Sequence, residues 1–310
     1  MRVVITGGTG LIGRALAADL AKDQHEVIVL SRNPDKAANL PAGVRALKWD
    51  AVSSTGWSTA ADGADAIVNL AGESIAGDGF LPSRWSTGRK QRILESRLNA
   101  GRAVVDAVQA VPNKPRVVVQ ASAVGYYGLQ DQKNQPPLDE HAAAGHDYLA
   151  DVCQQWEAIT APVESMGVRR VIARTGVVLS FKGGVLPLLA LPYQFFIGGP
   201  IGRGKQPVSW IHLEDEVKAI RYLIEHEAAS GTYNLTAPNP VTMDELGRAI
   251  GHTMGRPHWL PTPGFAFKAA FGELADALIL EGQRVVPHRL EEVGYHFHFA
   301  DIESAMRDLY

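Results

Sequence analysis

The sequence predicts an α/β fold, a doubly wound parallel sheet, on three observations. Short β-branched runs recur as far as Gly176, helical amphipathic stretches alternate with them, and the first run enters a glycine turn that opens directly into a helix. Such alternation lays the strands side by side in parallel, joined by right-handed crossovers.

Arg2-Val3-Val4-Ile5 reads as the first, buried strand, and Arg14 to Leu20 as the helix that follows Thr6-Gly7-Gly8-Thr9-Gly10-Leu11-Ile12-Gly13. Glycines permit the tight turn and a close backbone approach, and the helix start offers unpaired N–H donors with a positive dipole end. This is an anion site in the context of a dinucleotide-binding, Rossmann-type unit, with Gly7, Thr9, Gly10, Leu11, Ile12 and Gly13 as cofactor-binding candidates. Glu26 to Leu30 is the second strand. Past it stand Ser31 and Arg32 rather than the carboxylate that holds a ribose 2′-hydroxyl, while Asp35 lies beyond Pro34 and is expected to point away. A hydroxyl and a guanidinium suit a 2′-phosphate, so NADP(H) is expected over NAD(H); the alternative is that Arg32 is a solvated loop charge.

Val44 to Trp49 reads as the third strand, with Asp50 placed to reach an adenine edge. Asp65 to Gly72 is a fourth strand entering a small-residue turn at the carboxyl edge, where open parallel sheets bind ligands, so Asn69, Leu70, Ala71 and Gly72 should flank the cofactor. The helix Thr87 to Val111 carries Arg97 on the same line as Ile93, Ala100, Val104 and Val108. An arginine there needs an anionic partner, such as a cofactor phosphate, or a route to water. Val117 to Ala121 is the fifth strand and delivers Ser122 at its carboxyl end. A helix is expected from Asp147 to Met166, and a sixth strand that starts at Val171-Ile172-Ala173 and ends near Arg174-Thr175-Gly176.

The remainder is less regular. Gly198 to Lys205 is a glycine loop with two cations, suited to an anionic ligand; His212 to His226 reads as a helix, Thr232 to Leu235 as a strand, and Thr242 to Glu245 has capping-box spacing. His296 and His298 alternate with Tyr295, Phe297 and Phe299 as on a strand, without a third ligand at metal spacing, so no metal is expected. The expected organisation is a cofactor domain over 1–178, with 210–236 returning to it, and a smaller mixed lobe for substrate from 179–209 and 237–310.

Composition narrows the function classes. A net charge of −3 supplies no global positive field for nucleic acid or an anionic membrane. Cys153, the single cysteine, excludes an internal disulfide and points to a reducing compartment. The apolar segment Val185 to Ile197 is broken by Pro187 and Pro192, and few apolar residues precede the glycine turn, so a cytoplasmic protein without a membrane span is expected. A homodimer is left open.

With Thr6 to Gly13, Asn69-Leu70-Ala71-Gly72, Ser122 before Tyr127-Gly128, and Trp210-Ile211-His212 before Asp215, the chain resembles the extended short-chain dehydrogenase/reductases, which include nucleotide-sugar epimerases. More narrowly it resembles the atypical YfcH-type epimerase subfamily through Asn69 to Glu73, Arg84-Trp85, Ser96-Arg97, Ser122 to Gly128, Gly198 to Gly202 and Glu281 to Val285. The resemblance spans essentially the full length. It implies an NADP(H)-binding oxidoreductase or epimerase acting on a nucleotide-sugar or other small anionic substrate, with Glu73, Arg84, Tyr127, Gly199 and Trp210 on the substrate side. Tyr127 can equally be a packing residue at the cleft edge.

Active members of that superfamily use a serine and a tyrosine on the reacting oxygen, with a lysine one helical turn after the tyrosine to lower its pKa. Ser122 fits the serine. Tyr148 lies near the usual interval, but Val152 stands four residues on; alignment on Trp156-Glu157 instead gives Leu149 and Cys153. Neither register yields the pair, and the helix holds no lysine. Ser122 and Tyr148 are therefore the catalytic candidates, with Tyr126 and Tyr127 as other acids and Lys90, Arg84, Glu73 and His212 as sources of charge. The alternative function is a catalytically degenerate NADP(H)-binding regulatory or redox-sensing module.

Overall fold

The computed structural model describes residues 1–34, 40–77, 79, 81–130 and 136–310. Its strands are β1 (Arg2–Thr6), β2 (Glu26–Ser31), β3 (Val44–Lys48), β4 (Ala66–Asn69), β5 (Val117–Ala123), β6 (Arg169–Thr175), β7 (Val177–Leu179), β8 (Pro207–Val208), β9 (Trp210–His212), β10 (Gly231–Leu235) and β11 (Val241–Thr242). The helices are α1 (Leu11–Lys22), α2 (Ser58–Ala61), α3 (Thr87–Ala110), α4 (Tyr148–Ala158), α5 (Pro162–Ser165), α6 (Leu186–Gln194), α7 (Leu213–Glu225), α8 (Met243–Met254), α9 (Gly264–Phe271), α10 (Glu273–Ala275), α11 (His288–Glu292) and α12 (Ile302–Leu309).

Seven strands form one parallel sheet in the order β10-β6-β5-β4-β1-β2-β3. The central strands are apolar on both faces because helices cover both. Leu16 and Leu20 of α1 with Ile220 and Leu223 of α7 close one face. Ala100, Val104 and Val108 of α3 close the other, with Trp49 and Trp57 at its margin. The strand order turns between β1 and β4, which opens the crevice where this architecture receives ligands. A separate core joins Tyr193 of α6, Leu246 and Ile250 of α8, Met306 of α12 and Trp210.

Two sequence expectations give way to chemistry. The helix expected from Asp147 to Met166 is two pieces, α4 and α5, because Pro162 has no N–H to continue the ladder and instead starts α5. Tyr295 to Phe299 is not a strand: the N–H groups of His298 and Phe299 both donate to the buried Asp215 carboxylate at 2.9 Å. Among the described residues no helix is long and apolar enough to cross a membrane.

Candidate functional site

The crevice begins at the glycine turn. Gly7 has φ +65°, and a Cβ there would stand 2.7 Å from the Leu70 carbonyl oxygen, so only glycine lets the turn close on β4. A Cβ on Gly13 would meet Gly7 O at 2.5 Å, which fixes how tightly α1 packs on its own turn. Gly10 is the N-cap, exposed and without a side-chain cap, and the first turn of α1 has no acidic residue. The amides of Leu11, Ile12 and Gly13 thus start a helix whose positive end is open, with Thr9 exposed beside it.

On the β2 side, Ser31 is buried and its Oγ accepts the N–H of Asn33 at 3.2 Å. Arg32 is exposed and forms no ion pair among the described residues. Asp35 lies outside the described residues. The Asp50 carboxylate accepts N–H groups of Val52 and Ser53 at 2.8 Å and the Ser53 hydroxyl at 2.7 Å. Those bonds, the Ser53 backbone first, hold its pKa below the usual carboxylate range.

Asn69 is fully buried. Its Oδ1 accepts the Thr6 hydroxyl at 2.6 Å and its Nδ2 donates to Gln120 Oε1 at 2.8 Å, while the Ala71 N–H donates to Thr6 Oγ at 3.2 Å. The Asn69 side chain therefore ties β1, β4 and β5 together, and the surface this turn offers is the exposed Gly72 with the half-buried Leu70. Arg97 lies against that glycine: a Cβ on Gly72 would be 3.1 Å from the Arg97 Cζ.

Ser122 sits where the sequence places it, at the carboxyl end of β5, but is only 3% exposed. Its hydroxyl donates to Glu157 Oε1 at 2.6 Å. Arg174, its register partner on β6, donates to the same carboxylate through Nε at 2.8 Å and Nη2 at 2.9 Å. Arg174 Nη1 also donates to the Tyr127 hydroxyl, which donates to Asn234 Oδ1 at 2.7 Å. Tyr127 is consequently an interior residue, its phenol pushed up to about 12 chiefly by burial. Glu157 and Arg174 escaped the sequence reading as site residues; an arginine within the β6 run was the available signal.

Tyr148 turns away from Ser122. Its hydroxyl donates to the main-chain carbonyl of Lys90 at 2.8 Å, and the Lys90 ammonium lies 4.8 Å from its ring centroid. Burial pushes the phenol up to about 12, offset in part by Arg97. Leu149 and Cys153 face the Ser122 side instead: a Cβ on Gly125 would meet Leu149 Cβ at 3.4 Å and Cys153 Sγ at 3.9 Å. Burial raises the Cys153 thiol to about 11, far from a reactive thiolate.

The other substrate-side candidates disperse. Glu73 faces Arg92 at 3.4 Å. Arg84 caps α9 through the carbonyls of Ala269 and Ala270, and Lys90 pairs with Glu273, so the α3 entrance is fastened to the C-terminal segment. A Cβ on Gly199 would run into the Leu260 backbone at 2.1 Å, because the glycine loop is paired with residues 259–262. Trp210 is fully buried and donates its indole N–H to Asn239 O at 3.0 Å. His212 is the N-cap of α7, its Nδ1 accepting the Glu214 N–H, and burial lowers its pKa.

A glycine turn at the switch point of a parallel sheet, with Ser122 at the end of β5 and no lysine on α4, defines an atypical extended short-chain dehydrogenase/reductase. The chain belongs to the NAD-dependent epimerase/dehydratase family, whose model matches residues 3–236; residues 262–309 match a domain of unknown function, DUF1731. Epimerase family protein YfhF of Bacillus subtilis is 40% identical over 309 residues, covering 100% of this chain and 98% of that protein. The chloroplastic SDR39U1 homolog of Arabidopsis thaliana is 39% identical, covering 99% and 86%. The crystal structure of human epimerase family protein SDR39U1 (isoform 2) with NADPH superposes with a TM-score of 0.88 at 33% identity, covering 100% of this chain and 99% of that one. Thermus thermophilus UDP-glucose 4-epimerase with NAD shares the fold at TM-score 0.75, 20% identity, and coverage of 100% and 97%.

Proposed function

We propose that this chain binds NADP(H) in the crevice between β1 and β4 and uses it in an oxidoreductase- or epimerase-type reaction on a small anionic substrate. The observation that carries the reading is the open start of α1 at Gly10, with the exposed guanidinium of Arg32 just past β2. The amides of Leu11 to Gly13 suit the pyrophosphate, and Ser31 with Arg32 suits a 2′-phosphate. Human SDR39U1, solved with NADPH, supports the phosphorylated cofactor. When bound, the cofactor would supply the hydride; this chain's residues would orient it and exclude water. A cofactor unit of 1–178 with 210–236, facing a lobe of 179–209 and 237–310, is the division that fits this reading. Calorimetric titration with NADPH, NADH and NADP⁺ tests the first half, and single-turnover oxidation of bound NADPH against a panel of carbonyl compounds and nucleotide-sugars tests the second.

A regulatory, NADP(H)-responsive module is the second reading. What favours it is that the Ser122 hydroxyl is bound to Glu157 and the Tyr148 hydroxyl to the Lys90 carbonyl. Failure of the whole panel by protein that binds NADPH normally would select it.

A further inference from the structure

Arg97 reaches from α3 to the exposed backbone of Gly72 at the rim of the crevice. Its Nη1 donates to the carbonyls of Glu73 at 3.0 Å and Ile93 at 2.9 Å, and its guanidinium lies 4.8 Å from the Trp156 ring centroid on α4. Among the described residues it has no carboxylate within ion-pair distance, and its Nε and Nη2 make no hydrogen bond. Its electrostatic neighbours are Cys153, Tyr148 and Glu73. Burial holds its pKa below that of a free arginine, yet a guanidinium stays charged. A half-buried cation with donors to spare and no anion is unfavourable until an acceptor-rich ligand arrives.

On α4, the position facing Ser122 one turn beyond Leu149 is Cys153, small and neutral, so that helix contributes no cation to this wall. Resting on the reading that the chain binds NADP(H), we infer that Arg97 supplies the cation from α3. Its free N–H edge takes the ribose-hydroxyl and phosphate oxygens of the nicotinamide half of the cofactor, and it reaches the Cys153 neighbourhood across Gly72. The stack on Trp156 and the two carbonyl bonds aim that edge in advance, as a positioning device should.

The test measures dissociation constants for NADPH and for adenosine 2′,5′-bisphosphate, a probe without the nicotinamide half, in wild type, Arg97→Lys, Arg97→Met and the double variant Arg97→Met/Cys153→Lys. Arg97→Met should weaken NADPH at least about tenfold and leave the bisphosphate within twofold. Arg97→Lys should lose only part of that affinity, and the double variant should recover most of it by offering an ammonium from α4. Unchanged NADPH affinity in Arg97→Met overturns the inference, as does equal loss for both probes, which marks a purely structural role. Absence of rescue in a double variant that still binds the bisphosphate overturns it as well. Should Arg97→Met fail to fold, Arg97→Lys decides: NADPH affinity equal to wild type supports a role for charge alone and overturns the oriented N–H edge. A wild type that binds neither probe defeats the broader NADP(H) reading instead.

Discussion

Arg174 meets the Glu157 carboxylate with two parallel N–H bonds, and the Ser122 hydroxyl takes the remaining approach to Oε1. The side chains are 5% and 10% exposed. With the Ser122 O–H donated to this carboxylate, Ser122 has only lone pairs left to offer.

Breaking this pair from one side should be costly. Glu157→Gln leaves the Arg174 charge buried without its partner and should lower stability by about 3 to 5 kcal/mol. Glu157→Leu/Arg174→Met removes both charges and should recover most of the loss. Urea unfolding of the three proteins checks the order; equal destabilisation by single and double variants would mean that packing around Tyr126 and Tyr127 outweighs the charges.

Arg32→Glu addresses cofactor choice. Losing a charge-assisted phosphate contact of about 1.5 to 3 kcal/mol, and adding repulsion, should weaken NADPH by at least tenfold while sparing NADH. Titration with both cofactors reads the ratio. An unchanged ratio would assign Arg32 to the solvated surface.

Glu216 gives a pH dependence with a definite sign. It is fully buried, its Oε1 accepts the Thr175 hydroxyl at 2.8 Å, and burial raises its pKa to about 8. The folded state therefore holds this proton more tightly than the unfolded one, whose carboxyl titrates near 4.5. Its contribution is fully present below that value and is lost as pH rises through about 8. Thermal melts of Glu216→Gln should match wild type near pH 4.5 and exceed it at pH 9; a constant offset across the range would sink the assignment.

Gly7→Ala should damage fold and cofactor site together. The left-handed backbone alone costs about 1 to 2 kcal/mol for an alanine, and the Leu70 carbonyl must also retreat. Lower melting temperature with loss of NADPH binding is expected. Wild-type affinity in a well-folded Gly7→Ala protein would contradict the geometry.

The sheet was legible because buried parallel strands are continuous apolar runs and the glycine turn has a local steric logic. What binds to what inside the cleft was not. Ser122 finds Glu157 across 35 residues, and Tyr148 meets Lys90 across 58, without any periodic signal. Trp210 and Tyr127 belong to motifs whose spacing says nothing of depth, and both are interior. Tyr295 to Phe299 alternated like a strand because the sequence cannot show that Asp215 captures its amides. The lack of a lysine on α4 was readable, whereas the guanidinium lying across Gly72 required the fold.

The placement of β10 sets the order in which the chain can become whole. This edge strand pairs with β6, yet α6 and the paired glycine loop intervene between them. The core that holds α6 also needs α8 and α12, which start more than 50 and 100 residues after it starts. On a ribosome, β1 to β6 can gather early from neighbouring segments, whereas α6 must wait, apolar and uncovered, until α8 and α12 have emerged. α12 thus covers α6 late in synthesis, and its removal should appear first as aggregation of nascent protein.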